Sequence, residues 1–148
     1  MDKKAKYEAL LPRMAALLDG ETDPIARMAN AAALLHREMG FWWTGFYRVT
    51  GDELVLGPFQ GPVACTRIKW GRGVCGTAWK ERHTVIVPDV EQFPGHIACS
   101  GESRSEIVVP VWLDDSVVAV LDIDSRDPGA FDDTDRHYLE KFVRMLTG

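Results

Sequence analysis

Residues 105–124 read SEIVVPVWLDDSVVAVLDID, and this stretch predicts two apolar strands joined by a short acidic turn. A turn centred between Asp114 and Asp115 places Glu106 opposite the segment that holds Asp122 and Asp124. Side chains alternate along a strand, so Asp122 and Asp124 share one face and lie about 6.5–7 Å apart. The pattern therefore predicts three carboxylates at one end of a hairpin.

These carboxylates continue a strand that is apolar on both faces. Residues 117–121 read VVAVL, as expected of a central strand. Carboxylates at the end of a buried strand need cationic or hydrogen-bonding partners, or must take up protons. A ligand ammonium group would satisfy one of them, and a protonated carboxyl would donate a hydrogen bond to an oxygen. The alternative interpretation is that all three are simply solvated.

The remaining elements predict an α+β fold. Helical spacing covers 4–18, where Pro12 predicts a kink or two shorter pieces, and 24–39, which Asp23 caps and Gly40 ends. The other predicted elements are strands at 41–49, 53–56, 62–68 and 84–87, a short helix near Val74, a break at 57–62, a long loop at 90–104 and a closing helix from Asp132 or Asp133. Because this order is not a βαβ alternation, we expect one domain over 1–148, with a central antiparallel sheet and helices packed against one of its faces.

Composition and charge narrow the classes of function. The chain has 148 residues, 46% of them hydrophobic, and a formal net charge of −5, which argues against a nucleic-acid or anionic membrane partner. No signal peptide is recognisable, and no apolar run approaches the length of a membrane span. We expect cytoplasmic residence, where thiols stay reduced. An odd number of cysteines, three, fits free or catalytic thiols better than a disulfide framework.

The cysteines lie in glycine-rich segments that leave several chemistries open. Cys99 precedes the hairpin in a small polar loop, and its pair with His96 is the only local one with the spacing of metal ligands. We expect no metal, and we expect His83 and His96 to be surface or packing residues. Redox chemistry would use one thiol to attack and a second to resolve the sulfenic acid as a disulfide. Residues 71–82 lack a phosphate-loop signature, but the amides of their short helix could hold an anion such as a carboxylate.

Four segments together resemble the free methionine-(R)-sulfoxide reductases, which are single-domain enzymes of the GAF fold. The similarity extends from about Phe41 to the last helix, and the cysteines are ten and twenty-four residues apart, as in that family. The four segments are GRGVCGTA at 71–78, FPGHIAC at 93–99, SRSEIVVP at 103–110 and LDIDS at 121–125.

The resemblance implies a GAF-like domain that reduces free L-methionine-R-sulfoxide to methionine. By the same resemblance, Cys99 is the nucleophile that attacks the sulfoxide sulfur, Cys65 is the principal resolving thiol and Cys75 is the accessory one. No cofactor is expected to be bound. Thioredoxin is the implied electron donor, supplied by NADPH through thioredoxin reductase. A homodimer is one assembly to test.

The resemblance also implies roles for four residues around the substrate. Glu106 matches the acid that polarises or protonates the sulfoxide oxygen, which is a poor leaving group until it is protonated. Asp122 and Asp124 match substrate-binding carboxylates, and Trp43 matches the aromatic residue against which the methyl group packs. Carboxylates that bind an ammonium group would favour the free amino acid over a peptide.

A different class of function remains as the alternative. Many GAF modules bind a small ligand, such as a cyclic nucleotide, without catalysis. Three thiols at matching positions have no role in that interpretation. A relative that keeps the fold without the activity is a third hypothesis.

Overall fold

A six-stranded antiparallel sheet forms the centre of the computed structural model, which describes residues 1–96 and 101–148. The strands lie in the order β3-β2-β1-β6-β5-β4. Their bounds are β1 Trp43–Thr50, β2 Glu53–Gln60, β3 Arg67–Lys69, β4 Val85–Val87, β5 Ser105–Leu113 and β6 Ser116–Ser125. The helices are α1 Lys3–Leu18, α2 Pro24–Met39, α3 Gly73–Glu81 and α4 Asp133–Thr147, with a 3-10 turn at Val90–Gln92. The expected α+β class with a central antiparallel sheet is confirmed.

The hairpin of β5 and β6 has the predicted turn and nearly the predicted register. Leu113 pairs with Ser116 across the turn, and an irregularity between Val111 and Trp112 then shifts the pairing by one residue. Glu106 therefore lies directly opposite Asp124. Because directly opposed residues project on the same face, Glu106, Asp122 and Asp124 all lie on one side of the sheet.

Helices α1, α2 and α4 cover the opposite face and bury the larger core. Strands β5 and β6 contribute Ile107, Val109, Leu121 and Ile123 to this core, where Phe46 of β1 joins them. Alternation along β5 and β6 thus separates an apolar helix-facing side from the side that carries the carboxylates.

Helix α1 is continuous through Pro12, so the division into two shorter pieces, one of the two expectations there, is not observed. Proline removes the hydrogen bond to the carbonyl four residues earlier, which belongs to Glu8. Glu8 is exposed, so water can satisfy that carbonyl. Helix α2 begins and ends as predicted, with Asp23 accepting hydrogen bonds from two amides and Gly40 in the left-handed conformation at its end.

The expectation that every helix packs against one face is also wrong. Helix α3 packs against β5 and β6 from the side opposite the other three helices. Gly76 allows its close approach to β3, because a Cβ there would lie 2.7 Å from the backbone oxygen of Lys69. This second layer is small, and it leaves room for a cavity over the carboxylates.

Strand β2 continues to Gln60, through the segment that was expected to break regular structure. Gly57 and Pro58 fall where the pairing of β1 with β2 shifts, between Gly45 and Tyr47. A bulge tolerates proline because a ladder hydrogen bond is already missing there. Strand β3 is correspondingly short and omits 62–66. In the described part of the chain, no helix is long and apolar enough to cross a membrane.

Candidate active site

A cavity of about 60 Å³ lies on the carboxylate face of the sheet. Strands β1, β5 and β6 form its floor, and the N-terminal turn of α3 and the segment 62–64 form its walls. Among its lining residues are Trp42, Trp43, Tyr47, Arg72, Cys75, His96, Ser103, Glu106, Asp122 and Asp124. The cavity brings together an acid, a thiol, an aromatic wall and helix amides.

The carboxylates in this cavity have little solvent-exposed surface. Glu106 is 6% exposed and Asp122 is 5% exposed. Asp124 is less deeply buried and accepts a hydrogen bond from the Ser103 hydroxyl, with 3.0 Å between Oγ and Oδ1. The buried Oδ1 atom of Asp122 has no hydrogen-bond partner among the residues that the structure describes. Such an atom costs free energy until a donor or cation reaches it.

Burial governs the protonation of the group. It raises the pKa of the Glu106 carboxyl well above its usual value, and the charges of Asp122 and Asp124 raise it further. Burial and the charge of Asp122 likewise raise the pKa of Asp124. Burial also raises the pKa of Asp122, whereas side-chain hydrogen bonds with Glu106, Cys75 and Asp124 lower it. These directions favour ionisation of Asp122 over ionisation of Glu106.

Cys75 is a free, buried thiol beside this group. It lies in the first turn of α3, and its Sγ atom is 4.0 Å from Oε2 of Glu106. Burial raises the pKa of the thiol well above its usual value, and the charges of Asp122 and Glu106 add to the effect. A protonated thiol is a poor nucleophile, so Cys75 does not have the properties of an attacking cysteine in this state.

Two aromatic rings of β1 form the apolar wall. The Trp43 ring stacks on Phe59 with centroids 5.3 Å apart and on Tyr47 at 6.1 Å. Gly45 makes this arrangement possible, because a Cβ there would lie 2.6 Å from the Trp43 ring. Trp43 Nε1 donates to the backbone oxygen of Pro62 over 2.8 Å, and Tyr47 donates to that of Cys65 over 2.9 Å. The wall therefore also holds the segment that carries Cys65.

The N-terminus of α3 faces the same cavity. Gly73 and Val74 line it, and the N-cap residue Arg72 makes no side-chain hydrogen bond to the first turn. Amides that have no partner in the helix are therefore left at this end. They carry partial positive charge and suit an anionic group such as a carboxylate.

The structure brings most of the predicted site residues into one cavity. Trp43, Cys75, Glu106, Asp122 and Asp124 all line it. Cys65 follows the cavity-lining segment 62–64, and Cys99 lies outside the described residues. Their roles therefore stay predictions.

Several cavity residues were not predicted as part of the site, among them Tyr47, Ser103 and His96. Tyr47 shares the face of Trp43 four residues along β1, so strand alternation would have indicated it. Ser103 is two residues before β5. His96 was expected at the surface or in packing, but it lines the cavity, and burial lowers the pKa of its imidazole. His83 is exposed, as predicted.

Comparison with known proteins agrees with this fold and site. The GAF domain family model matches residues 22–145. GAF domain-containing protein A of Dictyostelium discoideum is 54% identical over 97% of this chain and 92% of its own length. The chain therefore belongs to the GAF domain family.

Within that family, the resemblance to free methionine-R-sulfoxide reductases is confirmed. The Escherichia coli protein of that name is 46% identical over 99% of this chain and 89% of its own length. The crystal structure of the Neisseria meningitidis reductase in complex with its substrate is 51% identical. It superposes with a TM-score of 0.97, covering 99% of this chain and 89% of that one.

Proposed function

We propose that this chain reduces free L-methionine-R-sulfoxide to L-methionine by thiol chemistry. The observation that carries the proposal is a single cavity that holds the Glu106 carboxyl, whose pKa burial raises, the Asp122 carboxyl, whose Oδ1 atom has no partner within the described residues, and the aromatic wall at Trp43. The sequence relatives named for this reaction support it, as does the neighbouring structure that holds its substrate.

The proposed chemistry begins with attack by the Cys99 thiolate on the sulfoxide sulfur. The attack forms a bond between the Cys99 sulfur and the substrate sulfur, and Glu106 gives its proton to the sulfoxide oxygen, which becomes a hydroxyl group. This hydroxyl group passes to the Cys99 sulfur as the bond between the two sulfurs breaks, and an electron pair stays on the substrate sulfur. The net step transfers the oxygen to Cys99, which becomes a sulfenic acid, while the sulfoxide is reduced to the thioether. The Cys65 thiol then attacks the sulfenic acid sulfur, an S–S bond forms and water leaves. The dithiol of thioredoxin reduces this disulfide and is itself reduced by NADPH through thioredoxin reductase.

The proposed binding mode explains why the substrate would be a free amino acid. Asp122 and Asp124 accept hydrogen bonds from the ammonium group, and the N-terminal amides of α3 receive the carboxylate. The methyl group packs on Trp43. A residue within a peptide lacks both charged groups, so it would leave the buried carboxylates unpaired.

The first experiment measures consumption of each methionine sulfoxide epimer, free and peptide-bound, with thioredoxin, its reductase and NADPH. We expect only the free R epimer to be consumed. No consumption of any form, with all three thiols confirmed reduced, would instead favour the ligand-sensing module.

Cysteine variants test the assignment of the thiols. We expect Cys99→Ser to abolish turnover and Cys65→Ser to release one methionine per chain and then stall. Cys75→Ser is the matched control, since an accessory thiol is not needed for the first turnover. Sustained thioredoxin-driven activity in the Cys99→Ser variant would contradict the proposed nucleophile.

A further inference from the structure

Three potential metal ligands converge in the cavity, from three different elements. Cys75 Sγ, a carboxylate oxygen of Glu106 and one of Asp122 all lie within 4.8 Å of one another. All three residues are at least 94% buried, and the Cys75 thiol is free. The group joins the first turn of α3 to β5 and β6, so a bound ion would contact both layers that enclose the cavity.

A second observation points to a missing ligand at the same place. Within residues 1–96 and 101–148, no hydrogen-bond partner reaches the buried Oδ1 atom of Asp122, although its carboxyl lines the cavity. The single guanidinium among the described lining residues belongs to Arg72, which is exposed. Buried carboxylates are normally paired or coordinate a metal.

The distances suit a small tetrahedral ion. Zinc binds sulfur at about 2.3 Å and carboxylate oxygen at about 2.0–2.2 Å, which gives an S···O separation of about 3.5 Å in a tetrahedral site. The 4.0 Å between Cys75 Sγ and Glu106 Oε2 is close to that value, so a side-chain adjustment of about half an ångström would close the site. A thiolate among the ligands favours zinc and other thiophilic ions over magnesium or calcium, which prefer oxygen.

We infer that Cys75, Glu106 and Asp122 form a three-ligand site for Zn²⁺ inside the cavity, with the fourth position open to the cavity. Binding replaces the protons of the Cys75 thiol and the Glu106 carboxyl with the ion. Because the ion takes the carboxylate proposed for the substrate ammonium group, zinc and substrate exclude each other. This exclusion rests on the proposed function, whereas the binding itself does not.

The test uses Co²⁺ as a spectroscopic substitute for Zn²⁺, on the full chain reduced with a reductant that lacks thiols. We expect a sulfur-to-cobalt charge-transfer band that Zn²⁺ displaces with a dissociation constant below about 10 μM. Cys75→Ser should lose the band, and Asp122→Asn should weaken Zn²⁺ binding at least tenfold, as loss of a ligand does. Cys65→Ser and Cys99→Ser are the matched controls and should keep the band.

Three outcomes would overturn the inference. The band could survive in Cys75→Ser, it could be lost in Cys99→Ser, or Zn²⁺ could fail to bind the wild-type chain below about 100 μM. Thermal unfolding of each variant without metal confirms that it is folded. The stabilisation that Zn²⁺ gives the wild type should be absent in Cys75→Ser. These readouts are independent of turnover, so an inactive chain that binds zinc would reject the proposed function and retain this site.

Discussion

Two buried aspartates, Asp135 and Asp122, lie on opposite sides of the sheet and differ in how their carboxylate oxygens are hydrogen-bonded. Asp135, in the first turn of α4, has no exposed surface and receives three hydrogen bonds. Tyr7 donates over 2.5 Å, Lys3 over 2.6 Å and the backbone amide of Asp132 over 2.9 Å. Asp122 is almost as deeply buried, but no residue in the described part of the chain forms a hydrogen bond with its Oδ1 atom.

The difference separates a carboxylate that serves the fold from one that serves a ligand. At Asp135, the cost of removing a charge from water is offset by an ion pair and a capping box, and the side chain fastens α1 to α4. At Asp122 the same cost is not offset within the chain. A ligand that supplies the missing donor or cation therefore recovers free energy that the fold leaves unused.

The same isosteric substitution at both aspartates tests this comparison, and the larger effect is expected at Asp135. In Asp135→Asn, one carboxylate oxygen becomes an amide NH2 group that faces hydrogen-bond donors, and Lys3 loses its closest counter-charge. We expect the free energy of unfolding to fall by about 3 kcal/mol, as for a broken buried ion pair. Chemical denaturation of the wild type and the variant would measure it.

If Asp135→Asn does not fold, Tyr7→Phe tests the same contact with a smaller change. It removes one of the three donors and leaves the ion pair, so its cost should be about 2 kcal/mol. A wild-type free energy of unfolding in either variant would show that Asp135 does not fasten the helices.

Asp122→Asn should change the free energy of unfolding in the opposite direction. Replacing a buried carboxyl whose Oδ1 atom has no partner among the described residues removes an unfavourable burial of charge, so the free energy of unfolding should rise by about 1 kcal/mol. The proposed ammonium contact is lost at the same time, and KM for the free sulfoxide should rise at least tenfold. Denaturation and steady-state kinetics on one preparation measure both quantities. Loss of stability together with an unchanged KM would place Asp122 with the fold rather than with the ligand.

Most of the site was predictable because it depends on local rules. Alternation and the position of one turn suffice to place Glu106 near Asp124. The irregularity between Val111 and Trp112 moves the pairing by only one residue. The common face of Glu106 and Asp122 was not predictable, since it depends on the exact register.

Other features depend on contacts between residues that are distant in the sequence. Tyr7 and Asp135 are 128 positions apart, and no local pattern indicates that they meet. The extension of β2 through Pro58 requires the bulge opposite β1, which is a property of the pair of strands rather than of either one. Helix α3 packs on the second face because Gly76 permits a close approach to β3, and that partner is likewise invisible in the local sequence.

Two serines near the start of β5 extend the comparison between groups that stabilise the fold and groups that bind a ligand, and their substitutions should have the smallest effects on KM. Ser103 donates to Asp124 in the cavity, whereas the buried Ser105 donates to the backbone oxygen of Asp127 over 2.6 Å and accepts from the amide of Ala130 over 3.3 Å. Ser105→Ala removes two partly buried hydrogen bonds to the backbone and should cost about 2 kcal/mol, about 1 kcal/mol for each bond. Ser103→Ala should cost about 0.5 kcal/mol, because water from the open cavity can replace a neutral hydroxyl.

The kinetic effects of the serine variants should have the reverse order. Loss of the Ser103 hydrogen bond removes the interaction that lowers the pKa of Asp124, so this carboxyl ionises less readily and holds an ammonium group less well. KM for the free sulfoxide should therefore rise severalfold in Ser103→Ala and stay near the wild-type value in Ser105→Ala. A larger rise of KM in Ser105→Ala than in Ser103→Ala would contradict the inference that the cavity contact serves binding and the Ser105 contacts serve stability.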